Sequence, residues 1–242
     1  VTAADKTKQY GDADPDLTYS ITNGATLIIG DSFNGMLSRD ADAGVGTHAI
    51  QQGTLALSSN YTLTFVAGTL TIETRAVTVS ADAKAKQYEQ ADPLFTYQVT
   101  AGSLVDGDLF SGELTRNSGT AVGTHTITQG DLALSANYAL TFVSANLTIT
   151  GKPITVTANA SQTKVYGESD PTFEYGITSG SLESGDSLSG ALSRSPGSSV
   201  GTYALSIGTL GNSNYDITFV GANFAITPRS ISITATASTK VY

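Results

Sequence analysis

The chain has 242 residues with no cysteine and no tryptophan, and only 14% of its residues are charged. Without cysteine, neither a disulfide nor a thiolate metal site can hold the chain together. Its stability therefore has to come from burying aliphatic and aromatic side chains. Basic residues are also few, since 12 Lys and Arg stand against 21 Asp and Glu, for a formal net charge of -9. This balance argues against nucleic acid as a partner, because phosphates require a basic surface.

Long hydrophobic runs are missing as well. No stretch approaches the roughly 20 apolar residues of a membrane-spanning helix, so we expect no membrane insertion of this segment. The chain has no initiator methionine and no signal-peptide pattern. Val1-Thr2-Ala3 aligns with Val79-Ser80-Ala81, in the middle of a strand pattern. We therefore expect a segment of a longer repeat protein.

What the chain does contain is a repeat about every 78 residues. The repeated landmarks are a tyrosine followed by an acidic turn, a later glycine, and an Asn-Tyr pair: Tyr10, Tyr88, Tyr166; Gly46, Gly123, Gly201; Asn60-Tyr61, Asn137-Tyr138, Asn214-Tyr215. We predict modules at residues 1–74, with a truncated first strand, 75–151 and 152–228, and the truncated start of a fourth at 229–242. An active site is not normally repeated in tandem, so we expect no enzyme.

Alternating polar and apolar residues dominate each module. Phe95, Tyr97 and Val99 are interleaved with polar neighbours, and this period of two indicates a half-buried strand. We predict a mostly β fold with five or six strands per module and at most one short helix, either β-grasp-like or sandwich-like. Only three or four residues join the modules, so we expect an elongated row, end to end, of roughly 90–110 Å.

The landmarks of the first copy are similar to those of a known family. At Tyr10-Gly11-Asp12, Asp14-Pro15 and Asn60-Tyr61 the chain resembles tandem MBG domains of the YGX type, which occur in large bacterial surface proteins and adhesins. The second copy departs from the pattern because Glu89 and Gln90 replace the Gly-acidic pair, so its turn is expected to differ. The resemblance implies a secreted protein on the bacterial cell surface. It implies no catalytic residue and no particular ligand.

The two histidines are the first candidates for catalysis. His48 and His125 occupy the same position in their copies, but the third copy has Tyr203 there. A general base is strictly specified, so we interpret both as strand residues that pack beside their neighbours. No Gly-x-Ser-x-Gly elbow is present. We therefore predict no catalytic residue and no cofactor.

Paired carboxylates are the candidates for a metal site. Asp12/Asp14, Glu168/Asp170 and Asp106/Asp108 are two residues apart, but calcium needs six to eight oxygens. Calcium stays an alternative, and the favoured interpretation is turn formation. The predicted turn residues are Asp14, Pro15, Asp92, Pro93, Asp170 and Pro171.

Recurring cations suggest partners for these turns. We predict that Arg39, Arg116 and Arg194 pair with the Asp of the Asp-Pro turn in the same copy. Lys8, Lys86 and Lys164 recur beside the landmark tyrosines, where we expect them to lie over a strand. A covalent cross-link to the recurring Asn is the alternative. No metal ligand is assigned to any of them.

The leading functional hypothesis is a stalk or spacer that projects a distal binding region of an adhesin. The alternative is an array of weak sites for glycans or matrix proteins, which would gain by avidity. Its partners would be host or environmental glycans or surface proteins, and its possible ligand contacts would be Tyr10, Tyr88 and Tyr166, since tyrosine is favoured at contact surfaces. We expect a monomer with contacts between its own modules.

Overall fold

The computed structural model describes residues 1–22 and 24–240. All regular secondary structure in these residues is β-strand, and none of it is helix. The first repeat contains β1 (Thr2–Ala3), β2 (Lys6–Gln9), β3 (Tyr19–Ser20), β4 (Ser38–Arg39), β5 (Gly46–Gln51) and β6 (Gly68–Glu73). The second contains β7 (Arg75–Ala81), β8 (Lys84–Gln87), β9 (Tyr97–Ala101), β10 (Thr115–Arg116), β11 (Gly123–Thr128), β12 (Tyr138–Val143) and β13 (Ala145–Thr150). The third contains β14 (Lys152–Ala158), β15 (Gln162–Val165), β16 (Tyr175–Ser179), β17 (Ser193–Arg194), β18 (Gly201–Ser206), β19 (Tyr215–Val220) and β20 (Asn223–Thr227).

The mostly β prediction is confirmed. The described residues of the three repeats form six, seven and seven strands, and the larger counts include the two-residue strands β10 and β17. The one short helix that the sequence analysis allowed is not among the described residues, and at Asp106-Gly107 the chain forms a simple turn. Among the described residues, therefore, no helix has the length and apolarity needed to cross a membrane.

The second and third repeats each contain a three-stranded and a four-stranded sheet. β7 is the centre of the smaller sheet, parallel to β12 and antiparallel to β9. β14 has the same place between β19 and β16. The larger sheets have the orders β10-β11-β13-β8 and β15-β20-β18-β17, matched in the first repeat by β2-β6-β5-β4.

The smaller sheet of the first repeat is reduced. β1 has two residues where β7 and β14 have seven, and the one named strand that it pairs with in the described part of the chain is β3. On its other side Thr2 makes a single parallel bridge to Val66. The segment before Val66 therefore has much less strand pairing than β12 or β19.

The core of the first repeat lies between its two sheets. Ala3 of the small sheet packs in one buried cluster with Ile50, Leu70 and Ile72 of the large sheet. Alternate residues of β5 and β6 face this cluster because side chains alternate along a strand. Two sheets that enclose one core, with no helix among the described residues, correspond to the sandwich-like alternative.

The described chain divides into two compact units. The first comprises Val1–Lys84, Leu94–Asn117 and Thr126–Leu147, and the second comprises Ala85–Pro93, Ser118–His125 and the chain from Thr148 onward. Each unit contains one connection between repeats. A single residue, Thr74 or Gly151, separates the last strand of one repeat from the first strand of the next. After β20, residues 228–240 are exposed and form no strand.

Candidate functional site

The site that recurs in this chain is the joint between repeats. Joint 1 comprises Tyr10 and Val45 of the first repeat with Arg75, Asn137 and Tyr138 of the second. The Asn137 carbonyl oxygen accepts a hydrogen bond from the Arg75 backbone N–H at 3.0 Å. Its side-chain oxygen accepts the Val45 N–H at 3.0 Å. One asparagine therefore fixes the start of its own repeat and, at the same time, a loop of the repeat before it.

Two tyrosine rings form the apolar part of joint 1. The Tyr10 ring contacts the Tyr138 ring edge to face, with centroids 5.5 Å apart. The Tyr138 hydroxyl donates to Asp108 Oδ2 at 2.5 Å and accepts the Val105 N–H at 2.8 Å. Burial, followed by the bond to Asp108, raises the pKa of Tyr138 above its ordinary value. Such edge-to-face pairs add stability beyond their buried area.

A charged contact also crosses joint 1. Arg75 Nη1 donates to the Tyr10 carbonyl oxygen and to Asp12 Oδ1, both at 3.0 Å. Its Nε donates to the Ser103 carbonyl oxygen at 3.1 Å. The rigid fork of the guanidinium thus spans both repeats, which a lysine ammonium could not do with the same geometry.

Joint 2 repeats this arrangement with Tyr88, Val122, Lys152, Asn214 and Tyr215. Asn214 accepts the Lys152 N–H through its carbonyl oxygen at 3.0 Å and the Val122 N–H through its side chain at 3.2 Å. The Tyr88 and Tyr215 rings meet edge to face with centroids 5.7 Å apart. Lys152 forms its ion pair with Glu183, which belongs to its own repeat.

The tyrosines of joint 2 are strongly buried. Tyr88 is only 8% exposed and Tyr215 only 6%. Tyr215 donates to Asp186 Oδ2 at 2.6 Å and accepts the Glu183 N–H at 2.8 Å. Burial, with the help of Asp186, raises the pKa of Tyr215 to about 12. Burial also raises the pKa of Tyr88, again with a contribution from Asp186.

The Asp of the Asp-Pro pair is the centre of an ion-pair cluster. Asp14 accepts Arg39 Nε at 2.6 Å and Lys8 Nζ at 2.7 Å. These two contacts, Arg39 first, hold the pKa of the Asp14 carboxyl below its ordinary value. Asp170, Arg194 and Lys164 are arranged in the same way, with contacts of 2.7 Å and 2.6 Å. The predicted Arg–Asp pairing is confirmed for these two copies, and Arg116–Asp92 stays a prediction.

The same arginines support the loop that reaches the joint. Arg39 Nη1 donates to the carbonyl oxygens of Asp40 and Asp42 at 2.6 Å and 2.5 Å. His48 Nε2 then donates to the Gly44 carbonyl oxygen at 2.8 Å, one residue before Val45. Two side chains therefore hold the loop that presents the Val45 N–H to Asn137.

This contact explains why a tyrosine can replace the histidine. His125 Nε2 donates to the carbonyl oxygen of Ala121 at 2.9 Å, and the Tyr203 hydroxyl donates to that of Ser199 at 2.7 Å. In each copy the acceptor lies four residues before the donor. Since a carbonyl needs only one N–H or O–H, both residue types perform the same structural task. The interpretation of the histidines as packed strand residues agrees with this geometry.

The three tyrosines proposed as ligand contacts have different surroundings. Tyr10 and Tyr88 lie against the tyrosine ring of the following repeat, whereas Tyr166 is 49% exposed. Ligand contact stays a prediction for all three. The hydrogen-bonded turn beside Tyr10 closes from the Asp12 N–H to the Gln9 carbonyl oxygen. The Asp-Pro pair follows it in a segment without strand structure.

The turn of the second copy was expected to differ, and that expectation is wrong. Glu89 has φ +61°, close to Gly11 at +80° and Gly167 at +90°. The Gln90 N–H closes the turn on Gln87 at 3.1 Å. A non-glycine residue therefore adopts the left-handed conformation at some cost, because the rest of the repeat holds the same backbone path.

Three of the carboxylates considered for calcium, Asp12, Asp14 and Asp170, are engaged by cations, whereas Asp108 accepts the Tyr138 hydroxyl. Asp14 binds Lys8 and Arg39, and Asp12 binds Arg75. Within residues 1–22 and 24–240, no three His, Cys, Asp or Glu side chains are grouped as metal binding would require. The amine of Lys86 lies 2.7 Å from Asp92, and the side chains of Asn137 and Asn214 bond the backbone of the preceding repeat. The three lysines and the two joint asparagines considered for cross-linking thus have separate partners.

The contact missed by sequence reasoning is the Asn-Tyr pair. Its recurrence in all three copies was visible, but the pair was used only as a landmark of the repeat and no contact was assigned to it. A strand face explains why a ring recurs at Tyr138 and Tyr215. It does not explain the asparagine that precedes this tyrosine in every copy. The recurrence of that asparagine was the signal in the sequence that could have predicted the contact.

Comparisons with known proteins agree with the internal repeat. The family model described as MBG domain (YGX type) matches three times, at residues 1–71, 77–148 and 154–225. No curated protein matches the chain. Among solved structures, the I9–I11 tandem from titin aligns at 11% identity and a TM-score of 0.23, over 95% of this chain and 98% of that chain. With three matches that together span most of its length, this chain belongs to the family of MBG domains of the YGX type.

Proposed function

We propose that this chain is a spacer: part of the extracellular repeat region of a secreted bacterial cell-surface adhesin, without enzymatic activity, that projects a distal binding region. The observation that carries the proposal is the joint, built twice from the same residue types. In both joints an asparagine side chain bonds the backbone of the preceding repeat and a tyrosine ring covers its landmark tyrosine.

The joints give this proposal a physical mechanism. Bending at joint 1 would have to separate the Asn137 amide from Val45 and the Tyr138 ring from Tyr10, while the connection itself has one free residue, Thr74. A long Gly/Ser tether, in contrast, would behave as a flexible coil. Restricting the angle between repeats limits bending at the joint, and that is what a projecting spacer requires.

The alternative, a multivalent array for glycans or matrix proteins, has less support. A binding array should present the same exposed cluster in every copy. The ring of Tyr88 is buried in joint 2, that of Tyr10 packs against Tyr138, and only Tyr166 is half-exposed. Two of the three tyrosines that the alternative needs are therefore engaged by the tyrosine of the following repeat.

Small-angle X-ray scattering of the chain, with calcium and then with chelator, tests the spacer. We expect a maximum dimension of roughly 90–110 Å, from three modules in line, unchanged by chelator. The variant Asn137→Ala/Asn214→Ala should give a broader distribution of dimensions, and Asn117→Ala, which changes an asparagine outside the joints, should not. A compact particle, or one that loosens without calcium, would contradict the spacer.

The cellular setting needs a separate experiment. Protease treatment of intact cells that express the parent protein, followed by mass spectrometry of the released peptides, should recover peptides of this repeat region. Recovery only after lysis would contradict an extracellular spacer.

A further inference from the structure

We propose that two residues at each joint, called the recognition pair below, decide which repeat can follow which. One is the residue directly after the landmark tyrosine, and the other belongs to the following repeat. At joint 1 the recognition pair is Gly11 with Val105, and the residues at the same two places of joint 2 are Glu89 and Glu183. Each repeat therefore presents an end surface that fits one kind of successor. This recognition between repeats does not depend on the spacer function proposed above.

The recognition pair of joint 1 leaves no room for a side chain at Gly11. A Cβ added there would lie 2.2 Å from Val105 Cγ2, much closer than two non-bonded carbon atoms can approach. Valine is branched at Cβ and stiff at χ1, so this methyl group cannot turn aside without leaving its preferred rotamer. A repeat with a larger residue after its landmark tyrosine would therefore be pushed away from Val105.

Joint 2 holds a side chain at the equivalent place. Glu89 adopts φ +61°, close to the +80° of Gly11, so the two turns have similar backbones. Glu183 is not branched at Cβ and lacks a second γ carbon, which is the atom that obstructs a side chain at Gly11. Its carboxylate is held by Lys152 of its own repeat. Joint 2 thus admits Glu89 because its successor lacks the obstructing methyl group.

The charged contacts of the two joints follow from the recognition pair. Val105 carries no charge, so Arg75 is left to reach back across joint 1 to Asp12 at 3.0 Å. Glu183 carries a charge at the same place and holds Lys152 within the third repeat. The residue at this place therefore decides whether the cation of the first strand bonds the preceding repeat.

The turn of each repeat also matches the cation that follows it in the sequence. Gln90 stands at the acidic place of the second turn, where its side-chain oxygen accepts the Gln87 N–H at 3.0 Å. The third turn, Gly167-Glu168, returns to a glycine and an acid, and the residue that aligns with Arg75 is again an arginine, Arg229. In chain order, a Gly-acid turn thus precedes arginine twice, and the Glu-Gln turn precedes lysine.

A wrong successor would make unfavourable contacts. If the third repeat followed the first, the turn that carries Asp12 would meet Glu183 in place of Val105, which brings two carboxylates to one joint. If a copy of the second repeat followed the second, Glu89 would meet the Val105 methyl group. Specificity is often achieved by such clashes with the wrong partner. It is needed in a tandem chain because similar neighbouring repeats are prone to misassembly.

Amide hydrogen exchange of the whole chain tests the recognition pair. The Val45 N–H, which donates to Asn137, reports on joint 1, and the Val122 N–H, which donates to Asn214, reports on joint 2. Gly11→Glu should lower the protection of the Val45 N–H about 10-fold, the loss expected for overpacking. It should leave the protection of the Val122 N–H unchanged.

A second substitution should restore the fit at joint 1. In Gly11→Glu/Val105→Glu most of the lost protection should return, because the obstructing methyl group is absent. The matched control is Gly11→Glu/Val105→Thr, since threonine keeps the branch at Cβ and with it the obstruction. This control should be as weakly protected as Gly11→Glu alone. Backbone strain at residue 11 is the same in all three variants, so the difference between the double variants measures the contact.

The reverse exchange at joint 2 requires no strained residue. Glu183→Val places a methyl group against Glu89 and should lower the protection of the Val122 N–H. Glu183→Gln, which removes the charge and adds no branch, should not lower it, and adding Glu89→Gly to Glu183→Val should restore it. Unchanged Val45 protection in Gly11→Glu, equal protection in the two double variants of joint 1, or unchanged Val122 protection in Glu183→Val would each overturn the proposal.

Discussion

Joint 1 and joint 2 have the same asparagine and tyrosine contacts but different reinforcement. Arg75 reaches back across joint 1 to the Tyr10 carbonyl and to Asp12, whereas Lys152 at joint 2 pairs with Glu183 of its own repeat. Joint 2 instead has a more deeply buried landmark tyrosine, Tyr88. The recurring residues thus set the geometry of a joint, and the variable neighbours set how it is stabilised.

The turn beside each landmark tyrosine differs as well. Gly11 approaches the second repeat so closely that an added Cβ would lie 2.2 Å from Val105 Cγ2. In the next copy Glu89 stands at the glycine position, and Glu183 stands where Val105 does. The close backbone approach at joint 1 therefore requires glycine, while joint 2 accommodates a longer side chain. The same backbone conformation of the turn is therefore compatible with two different pairs of contacting residues at the joints.

The largest effect should come from removing the covering tyrosine. Tyr138→Ala and Tyr215→Ala should each lower the free energy of unfolding by about 3–5 kcal/mol, because a buried ring and its hydrogen bonds are lost. Tyr61→Ala should lower the free energy of unfolding by less, because its hydroxyl bonds Asp31 and the Ile28 N–H in the equivalent way, but among the described residues its ring contacts no other tyrosine. Urea unfolding provides the comparison, and equal losses at all three positions would show that the joints add nothing.

High pH should weaken joint 2 through Tyr215. Its pKa is raised from 10.0 to about 12 in the folded chain. The stabilising contribution is therefore complete below pH 10, begins to fall when the unfolded tyrosine ionises, and is lost as pH rises through the folded pKa. Tyr215→Phe should flatten the alkaline limb of a stability–pH curve measured by urea unfolding. An unchanged limb would mean that Tyr215 does not titrate abnormally.

The turn residues provide a pair of opposite changes. Glu89→Gly should stabilise the chain by about 1 kcal/mol, because it relieves a left-handed non-glycine residue whose side chain is exposed. Gly11→Ala should destabilise by roughly 1–2 kcal/mol from backbone strain alone, with the Val105 clash in addition. Thermal and urea unfolding of both variants would test this. A destabilising Glu89→Gly would imply a contact of the Glu89 side chain that offsets the strain.

The smallest effect should come from removing the charged contact of joint 1. A double-mutant cycle with Arg75→Ala and Asp12→Ala should give a coupling energy of about 0.2–1 kcal/mol, since the pair is partly exposed to solvent. The coupling should weaken at high salt. The cycle of Lys152 and Glu183 is the control within one repeat. A coupling energy of zero between Arg75 and Asp12 would show that this charged contact does not stabilise joint 1. The two joints would then not differ in this respect.

Much of the fold could be predicted from local patterns. Alternation along Tyr138–Val143 identifies a strand because side-chain direction reverses at every residue. The Arg39–Asp14 and Arg194–Asp170 pairs were also predicted, because one cation and one anion recurred at matching places. The conformation of the turn at Glu89 was not predicted, because the sequence alone suggests that a residue without the conformational freedom of glycine changes the backbone path. The supporting bonds of the repeat enforce the path instead.

The sequence by itself determined the repeat, the mostly β class and the family, because periodicity and recurring landmarks are properties of chain order. Only the tertiary structure decided what the landmarks do. The Tyr10 ring meets Tyr138, and the Val45 N–H meets Asn137, across more than a full repeat of chain. Contacts at that separation depend on how two sheets are folded and joined, and no local pattern encodes the distance between them.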